Sequence, residues 1–243
     1  MSHPSTRSIT LKLHIFGVLL GLISLHVSAL NPFISNLHGE SKDVPSTRFN
    51  LSGMTLGAPK PSSATPRQLI FELKNRTQVD PRDKAWSWTS ATELDKAPPL
   101  LWIFVGPKGS IEPELVQNLQ RYIENGGTIV VEGMGASSRY RLRELQQKVF
   151  GDDNIHALKE DDLLTRTFYI LPPSFSSQLK TVIKSGRVVW VESSQPLLRQ
   201  LENTSPQREM RIRSCINICL YTLTGSYKDD LTHLKYLMRR RKS

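Results

Sequence analysis

The run "PLLWIFVG", Pro99 to Gly106, constrains the fold more than any other stretch of the chain. It is apolar throughout, so both of its faces must be covered, as for an inner strand of a sheet flanked by helices on both sides. An amphipathic stretch follows. Ser110 is placed to cap it, Glu112, Pro113 and Glu114 suit its first turn, and Leu115, Val116, Leu119, Tyr122 and Ile123 fall on one side. Asn125-Gly126-Gly127 stops that helix, and "TIVVEG" supplies a second buried strand. Strand, helix and strand in this order predict a right-handed crossover between parallel neighbours.

The alternation runs both ways from there. Upstream, "QLIFEL" reads as the first strand. Downstream, "SSRYRLRELQQKVFG" reads as a helix with Tyr140, Leu142, Leu145 and Val149 inward and Gly151 at its end. "IHALK" and "TFYILP" are weaker strand candidates before the strong strand "RVVWVES". A helix from about Pro206 to Leu223 buries Met210, Ile212, Cys215, Ile216 and Cys219, and Thr224-Gly225 closes it. Asp229-Asp230 then open a last helix with Leu231, Leu234, Leu237 and Met238 inward. The expected class is α/β: an open, mostly parallel, flavodoxin-like sheet of about five or six strands with helices on both faces.

The amino end carries a different message. Arg7 and Lys12 precede the apolar run Ile15 to Leu25, and small residues at Val27 and Ala29 suit processing after Ala29. That is the layout of a signal peptide over 1–29, since the run falls short of the about 20 residues a membrane span needs. An uncleaved anchor is the alternative. Residues 30–66, rich in Pro, Ser, Gly and Thr, read as a flexible linker. This leaves 67–243 as the α/β domain with a carboxyl-terminal helical pair and a basic tail. The formal net charge of +10 is compatible with anionic partners or with a solvated basic surface. Aromatics do not interleave with the cations, so no nucleic acid is expected. Arg239 to Lys242 form a cationic run suited to anionic lipid headgroups or an anionic polymer. Cys215 and Cys219 stand four apart on a helix and read as small apolar core residues rather than a disulfide framework.

Ligands of open α/β sheets gather at the carboxyl ends of the strands, which places Glu132 to Ser138 at the chemically interesting edge. The layout resembles the class I glutamine amidotransferase-like fold, in which a strand ends in a Gly-x-Cys-x-Gly elbow holding the nucleophile. Val131-Glu132-Gly133-Met134-Gly135 occupies that stretch, with Gly133 where the cysteine stands, and no side chain there can attack a carbonyl. A serine nucleophile at Ser137 or Ser138 needs a base, and none of His38, His156 and His233 is tied by sequence to the turn. One of these serines is expected to cap the next helix instead. Glu132, the one acid at the strand end, is expected to bond loop amides or Lys108; the alternative is a general base that activates a water. Gly106, Lys108, Glu132, Gly133 and Ser137 are the candidate ligand contacts. "FVGPKGS" lacks the ending of a phosphate loop, and Cys215, Cys219 and His233 lack a metal-site spacing, so no cofactor and no metal are expected.

Two longer stretches, "PPLLWIFVGPKGSIEPELVQNLQRYIENGGTIVVEG" and "SPQREMRIRSCINICLYTLTGSYKDDLTH", resemble the bacterial family called domain of unknown function 4159. Asn217, Tyr221, Thr224-Gly225, Tyr227-Lys228, Asp230 and His233, in that order, carry the most specific part. Arg166-Thr167 stand where a His-Pro pair is typical. The resemblance implies a divergent amidotransferase-like domain without an established activity. It also implies a bacterial envelope protein, periplasmic or tethered to the inner membrane, whose partner is an envelope protein or polymer. By their spacing, Asn217 and Tyr221 can hydrogen-bond the adjoining loop, while His233 can pair with Asp229 or Asp230. The expected function is a non-catalytic binding or scaffold module. The alternatives are a hydrolase using Glu132 and a water, and a membrane-surface or anionic-polymer binder acting through the tail.

Overall fold

A computed structural model describes residues 49–240 apart from 78, 80, 134, 152–154 and 194; for 49, 81–84 and 225–240 it gives secondary structure alone. The signal-peptide reading of 1–29 and the tail at 241–243 lie outside the described residues. Leu100–Val105 is buried at every position, as an inner strand requires. Numbered along the chain, the strands are Phe49–Leu56 (β1), Pro81–Trp88 (β2), Leu100–Val105 (β3), Thr128–Gly133 (β4), His156–Ala157 (β5), Leu179–Lys184 (β6) and Arg187–Ser193 (β7). They form one sheet of order β2-β1-β3-β4-β7-β6-β5. The first five in that order are parallel, and β6 and β5 extend the sheet antiparallel.

Side-chain alternation along β3 builds two layers. Leu100, Trp102 and Phe104 face helix α1 (Ala64–Arg76) and the last helix, α5 (Arg208–Arg240), while Leu101, Ile103 and Val105 face α2 (Pro113–Glu124) and α3 (Arg139–Phe150). A single turn, α4 (Pro173–Ser176), precedes β6. The stop after α2 is as its sequence indicates: Gly126 takes φ +95° and its N–H and that of Gly127 bond back to the Ile123 and Tyr122 carbonyls. Its start differs, because Ser110 donates to the Glu112 side chain and Glu112, not Ser110, holds the cap position.

Several elements depart from the sequence reading. β1 lies inside the segment read as linker and pairs with both β2 and β3. Its sequence, FNLSGMTL, hides the strand because Gly53 brings no side chain; the missing volume comes from Trp86 and Trp88 of β2, which lie over it and pack against Phe104. "QLIFEL" is helical within α1, burying Leu69 and Leu73 four residues apart while Phe71 faces solvent. "TFYILP" forms no strand, β6 takes its place beside β7, and "IHALK" shrinks to the two residues of β5. Tyr140 on α3 points outward, 78 % exposed. Finally, α5 is one helix through Gly225, not a helical pair. A single glycine costs a helix only about 1 kcal/mol, and good helix formers resume further on with Leu231, Leu234, Lys235, Leu237 and Met238.

An ion-pair network fastens α1 to α5. Glu72 takes Arg76 and Arg208, and Glu209 takes Arg76 through both of its oxygens together with Arg213. The two arginines hold Glu209 below the usual carboxylate range. Cys215 and Cys219 are free and fully buried, and burial pushes both thiols up, so they act as apolar filling. The β1 packing gives a test. A Cβ on Gly53 would stand 2.4 Å from Trp86 Cζ2 and 2.8 Å from Trp88 Cζ3. Gly53→Ala is therefore expected to destabilise the fold by about 1–3 kcal/mol in urea unfolding, whereas alanine normally improves on glycine in a strand.

Candidate functional site

Strand alternation separates the two consecutive residues that the sequence placed together. Val130 packs in the layer of α1 and α5 and Val131 in the layer of α2 and α3, so Glu132 turns to the first side and Gly133 to the second. They serve different structures.

Glu132 is fully buried. Its Oε2 accepts the N–H groups of Leu197 and Leu198, each at 2.8 Å, and its Oε1 accepts that of Arg199 at 3.2 Å. These amides begin the short helical turn Leu198–Gln200 that follows β7. Glu132 therefore caps that turn from a neighbouring strand, and the Lys108 alternative is not the one realised. The Arg199 side chain extends the tie. Its Nε lies 3.9 Å from Glu132 Oε1, an ionic contact, its guanidinium lies over the Phe104 ring at 4.8 Å, and its Nη2 donates to the Pro59 carbonyl after β1. Burial lifts the Glu132 carboxyl above its ordinary value of 4.5, against the opposing pull of the three amides and Arg199. With both oxygens engaged and no exposed surface, this carboxyl has no path to a substrate or an attacking water.

On the other side, the elbow position is closed. A Cβ on Gly133 would stand 2.4 Å from Ser138 Oγ and 2.9 Å from Leu142 Cδ1. Ser138 is buried and holds the N-cap position of α3, as expected of one of the two serines, but its hydroxyl donates to the Gly135 carbonyl at 2.8 Å and bonds no helix amide. Ser137 is exposed on the same turn. Beyond Gly133 opens a cavity of about 780 Å³ between α3 and the ends of β4, β7 and β6, lined among others by Arg139, Arg143, Gln146, Lys180, Glu192 and Gln195. Lys180 and Glu192 are cross-strand partners. Burial raises the Glu192 carboxyl above its usual range, and Lys180 and Arg143 draw it back. Three cations face one carboxylate, so the cavity has a positive field.

The other sequence candidates scatter. Gly106 is a point of backbone contact, since a Cβ there would stand 1.8 Å from the Gly57 carbonyl oxygen, and its N–H donates to Leu56 at 2.9 Å. Lys108 is exposed on the same loop. Asn217 and Tyr221 are buried on α5. Asn217 accepts from the Phe168 and Tyr169 amides and donates to the Leu164 and Tyr169 carbonyls, so it shapes the loop that contains Arg166 and Thr167. The Tyr221 hydroxyl accepts from the Val188 amide at 2.9 Å. Tyr227, Asp230 and His233 lie outside the residues whose side chains are described. Among the described residues no group of His, Cys, Asp and Glu converges as a metal site would need, and no helix is long and apolar enough to cross a membrane.

Sequence reasoning missed Arg139, Arg143, Lys180, Glu192 and Arg199. One signal was available: "RYRLR" puts three arginines at the start of a helix just past the candidate turn, where the dipole disfavours cations. A model of one protein family matches residues 57–223, from the residue after β1 into α5. The chain belongs to that family, described as a domain of unknown function, DUF4159. The DUF4159 match therefore takes in the β4 turn, the cavity and the Asn217–Tyr221 pair. No curated protein matches the chain.

Two predictions test the geometry of this DUF4159 edge. Gly133→Ala should cost about 1–3 kcal/mol of stability, and adding Ser138→Gly should recover part of the loss, a non-additivity beyond about 0.5 kcal/mol in a double-mutant cycle. Because the folded chain holds the Glu132 proton to higher pH than the unfolded chain, this group's stabilising contribution is full below 4.5 and is lost as pH rises through its folded value. Unfolding free energies measured across that range should therefore fall more steeply with pH in the wild type than in Glu132→Gln. Glu132→Leu, which orphans three amides, should cost at least about 3 kcal/mol.

Proposed function

We propose that this DUF4159 chain is a non-catalytic binding module of the bacterial envelope, on an amidotransferase-like sheet that has given up covalent chemistry. Its ligand sits in the cavity between α3 and the ends of β4 and β7. The observation that carries this reading is the closure at Gly133: Ser138 and Leu142 fill the space that a nucleophile's side chain would need. Engagement of Glu132 by three loop amides speaks against the hydrolase alternative. What remains at the edge is a recess with Arg139, Arg143 and Lys180 around Glu192, suited to hold a ligand that carries negative charge.

Export is part of the proposal and rests on the amino-terminal pattern of Arg7, Lys12 and the run Ile15 to Leu25 ahead of Ala29. An envelope location puts soluble wall fragments and acidic wall polymers within reach of the cavity. The basic run from Arg239 to Lys242 is compatible with a membrane surface beside such a module and supplies no site of its own.

Incubated with chromogenic esters, amides and glycosides, the purified full chain should give turnover no higher than Glu132→Gln; Glu132-dependent hydrolysis of any of them contradicts the proposal. In equilibrium binding with soluble wall fragments and acidic wall polymer, an Arg139→Ser, Arg143→Ser variant should bind at least about tenfold more weakly at unchanged stability, as expected when two charge-assisted contacts are lost. Equal binding by both proteins would remove the cavity from the account.

A further inference from the structure

Arg139, Arg141 and Arg143 stand in the first turns of α3, and no acidic residue stands in its first turn. This is the wrong sign for a helix amino end, so the cations need another reason to be there. Arg139 and Arg143 line the cavity; Arg141, between them in sequence, projects from a different side of the helix. Its side chain is only 8 % exposed, yet its Nε and Nη2 are buried without a hydrogen-bond partner, and among the described residues it makes no ion pair. Arg199 and Arg211 also leave Nε without a hydrogen bond, but Arg199 has Glu132 at 3.9 Å and donates through Nη2 to the Pro59 carbonyl, and Arg211 places its two Nη atoms on Ser205 and Gln207. Arg141 has no such partner. A buried guanidinium in that state is less favourable than an apolar side chain of the same size.

Arg141 reaches the loop that follows β3. Its Nη2 lies 4.0 Å from the point where a Cβ would stand on Gly109, and that same point is 3.6 Å from Gly57 Cα. The guanidinium thus lies where the loops after β1 and β3 meet. This is also where the strand order reverses, since the chain leaves β1 outward to β2 and re-enters as β3 on the other side. Open α/β sheets collect ligands at such a point. The loop is held from both sides: Gly106 donates to the Leu56 carbonyl at 2.9 Å, and Lys148 Nζ of α3 donates to the Ile111 carbonyl at 3.2 Å. Among the described residues no hydrogen bond engages the N–H groups of Lys108, Gly109 and Ser110, and the amino end of α2 follows at Pro113.

We propose that Arg141, the Lys108 to Ser110 amides and the amino end of α2 form a receptor for a terminal oxyanion, the phosphate or carboxylate group of a small ligand. A planar guanidinium fork matches both groups, and backbone amides beside a helix start favour the same charge. This receptor is separate from the cavity beyond Gly133 and stands or falls independently of it.

The test uses the full chain at constant ionic strength, with sodium phosphate, sodium acetate and sodium chloride as probes. Phosphate or acetate should raise the unfolding temperature above the chloride control, and whichever does so identifies the group. Arg141→Met should weaken that binding by at least about tenfold while leaving stability in chloride equal to or above the wild type, because an unpaired buried charge has been removed. A purely structural arginine would instead destabilise the chloride form when replaced. Should Arg141→Met fail to fold, amide chemical shifts of the wild type decide: titration with the bound probe should move Gly109 and Ser110. No shift of the unfolding temperature by either oxyanion, undiminished binding by Arg141→Met, or amide movement confined to Gly135 and Ala136 would each overturn the proposal.

Discussion

A carboxyl group sealed inside the sheet edge and holding three backbone amides is the contact on which the functional end of this protein depends. Glu132 belongs to β4, and the amides of Leu197, Leu198 and Arg199 follow β7, so one side chain fixes the loop of the neighbouring strand. Arg199 carries the fixation across Phe104 to the loop after β1. Burying an ionisable group in this way is costly unless its partners are complete, and here both oxygens are used. The consequence is a carboxyl edge whose inner positions are set by internal bonds rather than left open for chemistry.

Alternation along β4 then divides the labour. Glu132 faces α5 and the Arg199 strap, and Gly133, one residue later, faces α3, Ser138 and the cavity. Had both residues turned to one side, an acid beside a nucleophile position would make a plausible reaction centre. Placed on opposite faces, they cannot act on one substrate. The arginines of α3 sit on the Gly133 side of this division, with Arg139 and Arg143 toward the cavity and Arg141 toward the junction of the β1 and β3 loops.

The middle of the fold was legible because its signals are local. β3, α2, the Asn125-Gly126-Gly127 stop, β4 and β7 each carry their pattern within a few residues, and all are realised. What failed depended on other parts of the chain. β1 has Gly53 where its neighbour's Trp86 and Trp88 supply the volume, so no inspection of FNLSGMTL alone reveals an inner strand. α1 looked like a strand because Leu69, Ile70 and Phe71 are contiguous, although two of its leucines, four residues apart, carry the burial. At the site, Glu132 and Gly133 were found from their place at the end of a strand, and the loop-amide role of Glu132 followed from its being a lone acid. Which loop it holds was invisible, because Leu197 to Arg199 lie far along the chain. Arg139, Arg141 and Arg143 were visible as letters, and their conflict with the helix dipole was a readable signal.

Amide hydrogen exchange at Leu197, Leu198 and Arg199 tests the central claim most directly. If Glu132 holds these three N–H groups from within the sheet, they exchange only when the whole domain unfolds, with protection free energies matching that of β3. Fast exchange at those amides, at the pace of the exposed loop around Lys108 while β3 stays protected, would show that the edge is not tied and that the carboxyl is free for other work.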